Sequence, residues 1–149
     1  MLRPIAALVL LAAAAPSSAP VPGLWQVVST PGTATLDGRP LADLPYTPSS
    51  PDEPRCLTSA MLHDPVALVV AQTPDGCEQT GRVRTRSGVR ITGTCRPQAP
   101  GLARGSYTLD GRWTRDRYTV RFTTSNASEN GTMGFSGTIA AKRVGDCPV

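Results

Sequence analysis

"CEQTGRVRTRSGVRITGTCR", residues 77–96, decides the fold class. Two cysteines bracket a segment rich in threonine, valine and arginine, with Thr85-Arg86-Ser87 near its middle. Side chains alternate between faces along a strand. Folding the segment about that middle sets Cys77 opposite Cys95, Gln79 opposite Gly93, Gly81 opposite Ile91 and Val83 opposite Val89. Both cysteines, Val83, Val89 and Ile91 then share one face, as a half-buried hairpin requires. The segment therefore predicts an antiparallel hairpin closed by a Cys77–Cys95 disulfide.

The chain has four cysteines, so this pairing leaves Cys56, in "RCLTS" at 55–59, for Cys147, in "GDCPV" at 145–149. Zinc is the competing reading. Zinc sites bring their ligands in close pairs, whereas neighbouring cysteines here lie at least 18 positions apart, and His63 is the only histidine. An even cysteine count at wide spacing reads as a disulfide framework, which belongs to an oxidising compartment. No metal and no cofactor are expected. A nucleophilic Cys56 would need a base and a lowered pKa, and a bridge to Cys147 removes the thiol.

Working outward, hairpins continue toward the C-terminus. Asp110-Gly111 separates "SYTL" from "RWTRDRYTVRF", and Asn130-Gly131 precedes "TMGFSGTIAAKR". Such dipeptides favour two-residue hairpin turns. A tip at Asn130-Gly131 pairs Phe122 with Ile139, Val120 with Ala141 and Tyr118 with Arg143. Toward the N-terminus, Leu24–Ser29 reads as a first strand opened by Pro22-Gly23. Residues 37–55 carry five prolines and read as a surface loop. Thr58 is placed to cap a short helix over Ser59–His63 that Asp64-Pro65 stops, and Val66–Ala71 reads as strand or buried turn. The fold class expected is mainly β: an antiparallel meander forming a curved sheet or partly closed barrel, with one short helix and two disulfides.

The first residues, Met1-Leu2-Arg3, lead into an apolar run from Ile5 to Ala15 and then Pro16-Ser17-Ser18-Ala19. A basic start, a short apolar stretch and small residues are the parts of a secretory signal peptide. The run is too short to span a bilayer, which takes about 20 residues. Residues 1–19 are read as the signal, with cleavage near Ala15 or Ala19, and 20–149 as a single β-rich domain. No cysteine follows the apolar run to carry a lipid, so the expected product is periplasmic or secreted, and not transmembrane once processed. The formal charge is +4 over 149 residues, carried almost wholly by arginine, with Lys142 the only lysine. A weakly basic domain tolerates anionic surfaces without being built for nucleic acid, and no nucleic-acid partner is expected.

Five stretches occur in order: "PGLWQVVST" at 22–30, "RCLTS" at 55–59, "DGC" at 75–77, "GTC" at 93–95 and "AAKRVGDC" at 140–147. Together they resemble the bacterial exported family known as domain of unknown function 3617, whose members are similar in a Pro-Gly-Leu-Trp start, a Cys-Leu-Thr step, two middle cysteines and a Gly-Asp-Cys ending. On that resemblance Trp25, Cys56, Cys77, Cys95, Gly145, Asp146 and Cys147 are the family positions. Where the family often opens its helix with a proline and an acid, this chain has Ser59 and Ala60. The resemblance implies an envelope protein and supplies no catalytic residue.

Trp25 reads as a core anchor on account of its large burial. Asn126-Ala-Ser and Asn130-Gly-Thr match glycosylation acceptors and read as turn residues. For catalysis, "SAMLHDP" offers His63 and Asp64, but no nucleophile elbow accompanies them. The alternative to a binding protein is an envelope hydrolase or isomerase using Asp146 or the His63/Asp64 pair. The arginines are the candidate site. Arg115, Arg117 and Arg121 share the parity opposite Tyr118, Val120 and Phe122, while Arg82 and Arg84 point away from Val83. The hairpin register sets Arg82 across from Arg90, a like-charge pair that a bound anion would relieve. These six arginines read either as a solvated charged face, balanced by Asp110, Asp116 and Glu129, or as a face for an anionic glycolipid, an anionic polymer or an acidic partner. The domain is expected to be an exported, non-catalytic one that binds an envelope component or a protein.

Overall fold

The computed structural model describes residues 19–41, 53–97, 101 and 103–148. Residues 1–18 of the proposed signal segment and Pro45, Pro48 and Pro51 of the proline-rich stretch lie outside the described residues. Strand β1 (Gly23–Leu36) is followed by the short β2 (Arg39–Pro40) and β3 (Arg55–Leu57), then helices α1 (Ser59–Leu62) and α2 (Pro65–Val70). Strands β4 (Cys77–Thr85), β5 (Gly88–Cys95), β6 (Gly105–Trp113), β7 (Arg117–Ser128) and β8 (Gly131–Gly145) complete the chain. They form one antiparallel sheet in the order β2-β1-β8-β7-β6-β5-β4, with β3 also on β1. From β4 to β8 it is the expected meander. β1 then closes onto β8, and the sheet stays open between β4 and the β1 edge.

The residue alternation sorts two faces. On one, Val89, Ile91, Leu109, Trp113, Tyr118, Val120 and Ala141 are buried together with Trp25. Helix α2 packs on β5 and β6 and adds Val66 and Val69 to this core. Trp25 is fully buried, its indole N–H donates to the Val21 carbonyl at 3.2 Å, and its ring lies 5.9 Å from that of Tyr118. The expected core anchor is thus found. The other, outer face carries Thr92, Thr108, Thr123 and Ser136 in one cross-strand row.

Both disulfides join the expected partners, Cys56 with Cys147 and Cys77 with Cys95. The Cys77–Cys95 and Gln79–Gly93 pairs hold as read, but the register then shifts between Gln79 and Gly81. Thr80 is left over, its hydroxyl donating to the Thr92 carbonyl at 3.4 Å. Past this bulge Arg82 opposes Ile91, Val83 opposes Arg90 and Arg84 opposes Val89. A one-residue slip moves every later side chain to the other face. Val83 is accordingly 65% exposed rather than part of the core, and Arg82 does not face Arg90.

Three further expectations change. Asp110-Gly111 is no turn: β6 runs straight through it, and the chain reverses at 114–116. Glycine is needed there because a Cβ on Gly111 would run into the Val69 side chain of α2. The last hairpin turns at Glu129-Asn130, so Val120 meets Ile139, Tyr118 meets Ala141 and Phe122 meets Gly137. This offset of two residues leaves every face as expected. The short helix stops before Asp64-Pro65 as expected, but Asp64-Pro65 also starts a second helix in place of the expected strand or buried turn. Thr58 caps α1 by accepting from the Met61 N–H, and Asp64 caps α2 by accepting from the Val66 N–H at 3.1 Å. Proline suits a first helical position because its missing N–H has no partner there anyway.

Candidate functional site

The sheet divides the six candidate arginines. Arg90, Arg117 and Arg121 stand on the outer face of β5 and β7. Arg82 and Arg84, flipped by the bulge, lie on the helix-bearing side of edge strand β4. Arg82 donates to the Gln79 side chain at 3.0 Å, and Arg84 approaches Asp64 at 3.8 Å. Arg115 sits in the β6–β7 turn, where its carbonyl accepts from the Val21 N–H. The candidate set is therefore not one surface.

The outer face gains two cations that the sequence reading passed over. Arg112 was hidden by the assignment of Asp110-Gly111 to a turn. Once β6 is continuous, Arg112 shares parity with Asp110, and the alternation Leu109, Gly111, Trp113 against Asp110 and Arg112 is the signal that could have found it. Lys142 lies directly opposite Arg117. The like-charge confrontation expected at Arg82 and Arg90 thus exists, but at Arg117 and Lys142. In the next rows Arg112 pairs with Thr119, and Asp110 stands between Arg90 and Arg121.

Asp110 is committed to Arg90 through two hydrogen bonds, of 2.8 and 3.2 Å. The hydrogen bond first and the carboxylate charge second raise the Arg90 guanidinium above its ordinary pKa. Arg112, Arg117, Arg121 and Lys142 have no ion-pair partner among the described residues. Arg90, Asp110, Arg112, Thr119 and Arg121 enclose a shallow hollow of about 480 Å³. An oxyanion can lie there between two guanidinium groups and a hydroxyl, a geometry that favours planar, bidentate recognition.

The acids considered for chemistry are engaged in the frame. The Asp64 carboxylate holds the first turn of α2. Asp146 pairs with Arg143, whose Nε also donates to the Pro22 carbonyl at 2.9 Å. His63 is the C-cap residue of α1 and is exposed. Among the described residues no group of three or more His, Cys, Asp or Glu side chains is placed to hold a metal ion, and no helix is long and apolar enough to cross a membrane.

A family model described as Protein of unknown function (DUF3617) matches residues 20–147. The chain belongs to this family. No curated protein and no solved structure matches it. The family positions are parts of the frame in this chain: Trp25 fills the core, the four cysteines form the two bridges, Gly145 pairs with Leu24 and Asp146 holds Arg143. The basic outer face is built from other residues.

Proposed function

We propose that this family member is an exported, non-catalytic binding domain that lays its basic sheet face on an anionic component of the bacterial envelope. One observation carries the reading: Arg112, Arg117, Arg121 and Lys142 occupy one face of three adjacent strands with no ion-pair partner among the described residues, and two of them confront each other. Directly opposed like charges cost stability, and a phosphate or carboxylate seated among them would reverse that cost. Two disulfides support residence outside the reducing cytosol, in the periplasm or beyond.

The test is sedimentation with phosphatidylcholine vesicles containing phosphatidylglycerol, at low and at high salt. The expected result is retention at low salt that fades as screening increases. Changing Arg112, Arg121 and Lys142 to serine together is expected to weaken retention by about tenfold or more, since each cation near an anionic surface contributes about 1 kcal/mol. Retention that is absent, or unchanged in the triple variant, would overturn the reading.

A further inference from the structure

Among the described residues, the helix-bearing side of the sheet is only partly covered. Helix α2 lies over β5 and β6. Beyond it a hollow of about 390 Å³ opens, lined among others by Gln72, Pro74, Phe122, Thr124, Asn126 and Ile139. Two glycines shape it. A Cβ on Gly137 would strike the Phe122 ring, and one on Gly105 would strike the Asn126 amide. With no side chain in those places, both groups lie down across neighbouring strands and leave the space above them open. Asn126, read from the sequence as a turn residue, is in fact inside β7.

The lining has a chemistry of its own. None of the described residues lining it is charged. Phe122, with Phe135 stacked obliquely at 5.8 Å, forms an apolar wall together with Ile139 and Pro74. Thr124 and Asn126 are half-buried, and neither side chain hydrogen-bonds to any described residue. Gln72 has one amide hydrogen near the Leu68 carbonyl, at 3.5 Å, leaving its oxygen available. Ligand sites are typically hollows of about 300–1,000 Å³ with apolar walls and a few converging polar groups.

We infer that this hollow is a second binding site, for a small neutral amphiphile. An acyl or similar apolar chain lies against Phe122, Ile139 and Pro74, and an uncharged hydroxyl, ester or amide end meets Thr124, Asn126 and Gln72. A carboxylate or phosphate head is disfavoured, because a charge taken from water needs a partner that this lining does not offer. The site is independent of the proposed anionic face, since Thr124 and Asn126 lie on the opposite side of β7 from Arg121.

The experiment is titration of the oxidised protein with phenylnaphthylamine, a neutral probe that brightens in apolar sites, followed by displacement. Saturable binding of one probe per chain is expected, with displacement by monodecanoylglycerol and about tenfold weaker displacement by decanoate, whose charge must be desolvated. Thr124→Phe fills the hollow and is expected to weaken probe binding by about tenfold at an unchanged thermal transition. No saturable binding, equal displacement by decanoate, or full binding by a folded Thr124→Phe protein would each overturn the assignment. So would a dimer on gel filtration that Thr124→Phe dissolves, because a second copy would then fill the hollow. Should Thr124→Phe fail to fold, Asn126→Leu decides: weaker monodecanoylglycerol binding with probe binding kept supports the site, and no change refutes it.

Discussion

Arg143 shows how one side chain can tie two ends of a domain. Its guanidinium reaches the Pro22 carbonyl and the Asp146 carboxylate, and the chain accommodates it with glycine at 23. The two partners are not equal in weight. The Asp146 side chain is 92% exposed, so Asp146→Asn is expected to lower stability by less than about 1 kcal/mol, as surface pairs do. Gly23 has φ +150°, and a Cβ there would meet Arg143 and the Gly145 carbonyl. Gly23→Ala is therefore expected to cost about 2–3 kcal/mol through backbone strain and crowding. Urea denaturation of the two variants checks both, and equal losses would contradict the ranking. At this scale the buried positions were legible. Trp25, Ile91 and Val120 announce themselves by parity and size, whereas Arg112 was lost because a dipeptide common in turns also suits a strand that a helix presses upon.

The elements were legible where alternation is long and illegible where a single residue intervenes. The bulge after Gln79 carries no composition signal, yet it reassigns Arg82, Val83 and Arg84, and with them two of the six arginines of the expected anionic face. The shift of two residues in the β7–β8 hairpin did no such harm, because strand faces repeat with that period. Helix α2 depends on two local features. Asp64→Ala removes its N-cap and is expected to cost about 1 kcal/mol, read as a lower urea midpoint. Gly111→Ala pushes against Val69 and is expected to cost about 1–3 kcal/mol as an overpacking change. That variant should also lose protection of the 65–70 amides in hydrogen exchange before the sheet loses its own. Simultaneous loss would show that helix and sheet open as one unit.

For the whole molecule, the disulfide frame and the sheet class could be read from the chain, since both follow from cysteine spacing and from hairpin after hairpin. The open edge and the second helix could not, because closure depends on how far strands twist and Asp-Pro begins a helix as readily as it ends one. The bridges span very different lengths, 91 and 18 residues. Replacing Cys56 and Cys147 by serine is expected to cost about 4–5 kcal/mol, against about 3 kcal/mol for Cys77 and Cys95, on the chain-entropy account. Equilibrium unfolding of the two double variants checks the order, and a larger loss for the short bridge would refute it. The same topology sets a timetable. A chain delivered N-terminus first presents Cys56 and β1 long before Cys147 and β8, the partners that come last. Cys77 is the first thiol to follow Cys56 into view, and the nested native pattern forbids that pair. A premature Cys56–Cys77 bridge would have to be exchanged by thiol attack before both native bridges could form.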